Sequence, residues 1–171
     1  MTVGAASEYE ISVATPADVP DIVELQAQNH ISRGGGLSME FPAARFLRSI
    51  AQMPIVIARR GGRLVGYLVS STKESTRGQA LPDAKNHAWP GGPDSYNSGP
   101  LCVAGSERGR GLAAKLFFAQ RANLKGREGV AFIRCDNRAS RAAHARYGFV
   151  EVAAFSHGGV DYVVVSHKDR P

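Results

Sequence analysis

The sequence predicts an α+β fold, on three observations. Runs of alternating or continuous apolar residues mark seven strand segments, and stripes recurring every three to four residues mark four helices. Paired glycines join two of the strand pairs into hairpins. With 171 residues, 43% of them hydrophobic, the chain is long enough to bury one sizeable core.

Residues 1–8 read as a loose tail and residues 9–171 as a single domain. Tyr9–Ala14 alternates in polarity, as a strand with one buried face does. Thr15 then caps a helix, with Pro16 at its first position and Asp18 in its first turn. Val19, Ile22, Val23 and Leu25 or Gln26 form its apolar stripe, and it should end near Asn29. His30–Met39 contains Gly34, Gly35 and Gly36 and reads as a hinge-like loop. Pro42–Gln52 reads as a second helix with Phe46, Leu47 and Ile50 facing inward. Ile55–Ala58 and Leu64–Val69 make a hairpin about Gly61 and Gly62, where Arg59, Arg60 and Arg63 are most simply solvent-facing charges. Residues 73–98 show no period, and a loop of that length is functional or disordered. Trp89, the sole tryptophan, lies within it and favours an ordered flap.

The chain is organised around Gly99–Arg127. A short apolar strand, Leu101–Ala104, runs into a glycine-rich basic turn and then a helix whose stripe is Leu112, Leu116, Phe117 and Ala119 or Gln120. Such a unit aims unpaired backbone N–H groups and the positive end of a helix dipole at one spot, which suits a phosphate. Arg108 and Arg110 add positive charge there. Pro100 removes one ladder donor, so an irregular strand or bulge is expected. Val130–Cys135 follows as a buried strand, Asn137–Arg146 as a short helix stopped by Gly148. Phe149–Phe155 and Val160–Ser166 close the chain as a hairpin about Gly158 and Gly159.

Charge is distributed unevenly. The net +6 arises entirely from residues 101–171, which hold twelve Lys and Arg against six Asp and Glu. An anionic ligand at the glycine turn accounts for this better than nucleic acid, since neither a continuous basic stripe nor an aromatic stacking motif is present. No run approaches a membrane span, and the start has neither the basic nor the apolar region of a secretory signal, so a cytoplasmic protein is expected. Two cysteines are too few for a disulfide framework or a zinc site, and no metal is implied. Cys102 and Cys135, both in apolar runs, read as small buried hydrophobes.

The turn itself admits three readings. A mononucleotide P-loop is excluded, because no window supplies its terminal Lys-Ser/Thr. Gly109–Ala114 fits a dinucleotide fingerprint, with Asp136 as the ribose acid. Four residues, Gly105–Arg108, separate its first glycine from the strand, however, and too little chain follows Asp136 to complete a doubly wound sheet. In the third reading Arg108-Gly109-Arg110-Gly111-Leu112-Ala113 matches R-x-x-G-x-A and resembles the pyrophosphate loop of the GNAT (Gcn5-related) N-acetyltransferases. Asn137-Arg138-Ala139-Ser140, with His144 to Phe149, resembles that family's second signature, an Asn opening a helix that ends in Gly-Phe. The order of elements from residue 9 to 167 is similar as well.

The resemblance implies a mixed, mostly antiparallel sheet of about seven strands, splayed at the fourth and fifth, with about four flanking helices. It implies acetyl-CoA as donor and direct transfer to an amine, on a small molecule or a peptide, in a ternary complex. The turn from Arg108 through Gly109, Arg110, Gly111 and Leu112 to Ala113 would hold the pyrophosphate. Backbone groups at Cys102 and Val103 would hold the pantetheine arm and the thioester carbonyl, and Asn137 and Ser140 would contact the arm. His144 stands where many relatives carry a tyrosine and others a histidine, and would protonate the departing thiolate. Relatives often place a glutamate on the fourth strand as base, but Tyr96–Pro100 has none. Asp94, His87 and Glu40 are the acid–base candidates, or a hydroxyl chain through Ser98 and Tyr96. The alternative is a domain that binds an acyl-CoA without transferring the acyl group. Relatives often dimerise, and nothing in this sequence decides that.

Overall fold

The computed structural model describes residues 8–37 and 39–168, so the expected tail lies, but for Glu8, outside the described residues. The elements are β1 (Glu10–Val13), α1 (Val19–Gln28), α2 (Ala43–Gln52), β2 (Val56–Arg60), β3 (Arg63–Thr72), α3 (Ala80–Ala88), β4 (Tyr96–Val103), α4 (Leu112–Asn123), β5 (Gly129–Arg134), α5 (Arg138–Arg146), β6 (Val150–His157) and β7 (Val160–His167). The seven strands form one mixed sheet in the order β1-β2-β3-β4-β5-β7-β6. Strand β4 runs parallel to β5, while β1–β2, β2–β3, β5–β7 and β6–β7 are antiparallel. The β4–β5 ladder is registered at Tyr96↔Gly129 and Asn97↔Val130, the first residues of each strand, as the expectation of splayed strands requires. Among the described residues no helix is long and apolar enough to cross a membrane. The chain divides into two compact units: the chain up to Val69 with Pro100–Asn123, and Ser70–Gly99 with the chain from Leu124 on.

The first unit builds its core from the predicted stripes. Ile22 and Leu25 of α1, Phe46 of α2, Ile55, Ile57 of β2, Tyr67 of β3 and Cys102 of β4 form one buried cluster. Phe41, Phe46 and Tyr67 meet edge to face, with centroids 6.2 and 5.9 Å apart, the arrangement ring quadrupoles favour. A short 3-10 turn, Pro16–Asp18, precedes α1, and Asp18 accepts a 2.8 Å bond from the Thr15 N–H. Gln120, not Ala119, completes the buried face of α4, because its amide donates to the Val69 carbonyl at 3.2 Å.

Three expectations need correction in this unit. Leu47 is 43% exposed, since a one-residue step from Phe46 rotates it by about 100° off the core side. Arg59 is not merely solvated: one of its nitrogens lies 2.8 Å from both Asp18 and Asp21 and ties β2 to the start of α1. Arg60 reaches Glu107 at 3.0 Å. The loop after α1 is no hinge either. Leu37 donates to the Asn29 carbonyl and accepts from Ile31, while Gly35 donates to the His30 carbonyl. A Cβ at Gly35 would stand 1.8 Å from the Asn29 carbonyl oxygen, so the loop closes only with glycine there.

The second unit holds the segment 73–98, which is ordered and contains a helix, α3, absent from the sequence reading. Its one buried residue is Lys85, so it shows no apolar stripe from which a helix could be read. The Lys85 ammonium donates to the Asn97 side-chain oxygen, and Asn97 donates in turn to the Thr76 hydroxyl at 3.0 Å. Burial, aided by nearby Lys73, pushes Lys85 down to about 8. Glu128 fixes the rest of the segment. Its carboxylate accepts from the Trp89 indole at 2.9 Å, the Gly92 N–H at 2.7 Å and the Ser166 hydroxyl at 2.5 Å. Gly99, before Pro100, takes φ +126°, the irregularity expected within β4. Cys135 departs from its reading as a buried hydrophobe: it follows the end of β5 and is only half-buried.

Burial alone would raise the Glu128 carboxyl, but the bonds from Ser166, Trp89 and Gly92 overrule it and hold the group below its ordinary 4.5. A carboxyl with a depressed folded pKa contributes stability above its unfolded value and loses it as pH falls through the folded one. Glu128→Gln is therefore expected to lower unfolding free energy at pH 7 by about 2 kcal/mol. It should also flatten the loss of stability between about pH 5 and pH 3. Urea unfolding of both proteins across that range checks this, and parallel curves would refute it.

Candidate active site

In the first unit β4 ends in a 3-10 turn, Gly105–Glu107, and Arg108–Gly111 then lead into α4. Gly109 and Gly111 have φ of +75° and +78°, which L-residues rarely adopt. The two reversals bring the chain directly onto the first turn of α4, whose leading N–H groups have no intrahelical acceptor. With the helix dipole behind them these donors make the kind of cradle in which an anion could be received. Arg110 is exposed beside it and lies 3.4 Å from Glu8. Glu107, the acid that precedes this cradle, is turned inward. It is 5% exposed, accepts the Tyr9 hydroxyl at 2.5 Å and pairs with Arg60. These partners hold its carboxyl below the ordinary value, the Tyr9 bond foremost, and the bond to Glu107 raises the Tyr9 phenol in return.

Arg108 leaves the cradle. Its guanidinium donates to the Asn29 side-chain oxygen at 3.0 Å. Both residues line a pocket of about 230 Å³ with Gly36, Leu37, Leu101, Cys102 and Val103. Burial pushes the Cys102 thiol up to about 12, which leaves it a neutral group and no nucleophile.

The second unit brings Asn137, Ser140 and His144 together on α5. The Asn137 side-chain oxygen caps the helix by accepting the Ser140 N–H at 3.1 Å. One turn on, His144 Nδ1 lies 2.8 Å from the Ser140 carbonyl oxygen and 3.4 Å from its hydroxyl. A carbonyl only accepts, so Nδ1 carries the hydrogen in that bond. The ring is buried and meets Phe149 edge to face, centroids 5.1 Å apart. Burial holds its pKa below 6.5, against the pull of the Ser140 carbonyl. At pH 7 the imidazole is therefore neutral. Asp94, His87 and Glu40 are all exposed, whereas Ser98 and Tyr96 are buried. Asp94 lines a second pocket, about 450 Å³, with Lys73, Arg77, Asp83, Asn86 and Arg127. Glu107, Glu128, Lys85 and Asn29 were not singled out from sequence, since a lone polar residue carries no pattern that marks it as buried.

No protein-family model matches the sequence, and no curated protein matches it significantly. Solved structures do match. A GNAT-family acetyltransferase of Streptococcus agalactiae superposes with a TM-score of 0.71 at 14% identity, covering 96% of this chain and 98% of its own. YncA of Salmonella typhimurium, solved with its cofactor acetyl-CoA, gives 0.68 at 18% identity over 95% and 94%. The ribosomal-protein-S18-alanine N-acetyltransferase of Escherichia coli gives 0.68 at 14% identity over 94% and 93%. The chain has the GNAT fold. At these identities the likeness concerns the fold, and within the GNAT fold the chain's own chemistry rests on the residues just described.

The neutral state of His144 is open to direct measurement. In a 15N-resolved NMR titration its ring should stay uncharged at pH 7, with the proton on Nδ1, and titrate below 6.5. Because the folded state takes up that proton less readily, stability should fall as pH drops below about 6.5. A ring already charged at pH 7 would contradict the assignment.

Proposed function

We propose that this protein is an N-acetyltransferase, moving an acetyl group from acetyl-CoA directly to an amine in a ternary complex. The observation that carries the reading is the glycine turn at the head of α4, set in a GNAT fold, with backbone N–H groups that suit a pyrophosphate. In this reading the backbone from Arg108 through Gly109, Arg110, Gly111, Leu112 and Ala113 takes the phosphates, with the Arg110 side chain alongside. Backbone groups of Cys102 and Val103 hold the pantetheine arm and polarise the thioester carbonyl, where an N–H would stabilise developing negative charge. Asn137 and Ser140 meet the same arm. Acetyl-CoA supplies an activated acetyl thioester. A peptide amine is one acceptor class, as the name of the ribosomal-protein-S18-alanine N-acetyltransferase indicates for that enzyme, and a small-molecule amine is the other.

His144 handles the proton. As the C–N bond forms and the C–S bond breaks, the amine gives up one proton and the sulfur gains one. A neutral imidazole whose Nδ1–H is fixed on the Ser140 carbonyl can take the first through Nε2 and deliver it as the second. The role expected from sequence, protonation of the thiolate, is then the second half of a relay. Such a relay needs no carboxylate on β4.

The alternative, an acyl-CoA-binding module without transfer, draws support from the missing carboxylate in Tyr96–Pro100. Thiol release from acetyl-CoA with a panel of amines separates the two: binding without release would overturn the enzyme reading. Two variants divide the site. Gly111→Val should weaken acetyl-CoA binding by at least about tenfold, because valine resists the positive φ that shapes the cradle. His144→Phe should lower kcat about a hundredfold and change the acetyl-CoA KM by less than about threefold. Unaltered turnover in that variant would remove His144 from the mechanism.

A further inference from the structure

A pocket of the first unit carries few polar side chains. Leu37, Leu101 and Val103 give it apolar walls, and Gly36 adds no side chain. Asn29 and Arg108 supply its side-chain nitrogen and oxygen. Asn29 is 5% exposed and doubly fixed: its Nδ2 donates to the Leu25 carbonyl at 2.9 Å, and its backbone carbonyl accepts the Leu37 N–H. Its Oδ1 therefore presents a stationary acceptor, and it holds the Arg108 guanidinium at the pocket.

The arginines of this unit differ in how their charge is met. Arg59, Arg60 and Arg110 each pair with carboxylates. Among the described residues Arg108 has no carboxylate partner, only the neutral Asn29 amide. Cys102, the other ionisable group lining the pocket, stays a neutral thiol and offers no countercharge. One N–H of the guanidinium is committed to Asn29, and a planar fork of this kind is suited to grip a carboxylate through two parallel bonds. The volume, about 230 Å³, falls below the roughly 300–1,000 Å³ of sites for drug-sized ligands. An occupant the size of an amino acid fits such a space.

We infer that this pocket binds the amine acceptor, that the acceptor is a small amino acid with a free carboxylate, and that Arg108, held by Asn29, is the group that reads that carboxylate. The inference rests on the transferase reading and names its substrate class. It also divides one residue between two roles: the Arg108 backbone opens the phosphate cradle, while its side chain serves the other substrate.

The test pairs each of several L-amino acids with its own carboxamide, leucine with leucinamide for example, and follows thiol release at saturating acetyl-CoA. The free acid should be preferred in kcat/KM by at least about tenfold, the value of a hydrogen bond to a charged partner. Arg108→Gln should abolish that preference by raising the KM for the acid about tenfold or more, with the acetyl-CoA KM within about twofold. Arg108→Lys, which keeps the charge but loses the fork, should fall between, and circular dichroism shows whether either variant is folded. Equal use of acid and carboxamide would overturn the inference while leaving the transferase reading intact. So would a rise in the acetyl-CoA KM of Arg108→Gln, which would return the side chain to the phosphates. Bound acetyl-CoA with no release to any amine would overturn both.

Discussion

The first unit depends on a buried carboxylate, Glu107. It ends the turn between β4 and the glycine cradle, and an acid at that point opposes the binding of any anion. The fold removes the conflict by turning the side chain inward to Tyr9, which precedes β1, and to Arg60 at the end of β2. Charge-assisted bonds of this kind are short and directional, so they fix the turn as well as neutralise it. Position and electrostatics are thereby settled together. The donors of the turn come from backbone, and Glu107 is already occupied.

The second unit repeats the device with Glu128. A buried carboxylate just before β5 would be unstable alone, yet three donors surround it, two of them from the segment that leads into β4. The donors gain an anchor and the segment gains a defined path. Lys85 meets the same problem with the opposite sign. It finds only the neutral Asn97 oxygen, and its pKa falls accordingly. Buried polar side chains, rather than apolar stripes, give the stretch from Lys73 to Ser95 its order.

That contrast explains what the sequence could and could not disclose. Every element with an apolar period was legible: the α1 stripe, Phe46 on α2, the Leu112–Gln120 face of α4, and both glycine hairpins. Helix α3 was not, because Lys85 is its one buried residue and Pro82 stands near its start. Arg59 and Arg60 looked like surface charges because their partners, Asp18, Asp21 and Glu107, lie 38 to 47 residues away in sequence. The candidate site divides along the same line. The cradle is a local motif and reads directly, as does the Asn137–His144 spacing on one helix. The direction of the Arg108 side chain is a tertiary fact, set by an asparagine 79 residues earlier.

The protonation state of His144 shows how a tertiary fact alters chemistry that residue type alone suggests. Its intrinsic pKa of about 6.5 fits a proton donor near neutrality. Burial favours the uncharged ring, and the Ser140 carbonyl decides which nitrogen keeps the hydrogen. A tyrosine in this place would hold a proton at pH 7 and could give it up at once. In the proposed mechanism the imidazole would have to acquire one first, and the attacking amine would be the group that has one to lose. In the proposed relay, the same burial that leaves His144 without a proton to give at rest keeps it in the neutral form that a base requires. A site with no carboxylate on β4 then needs no separate residue for that task, since a single imidazole can accept the proton at one step and return it at the next.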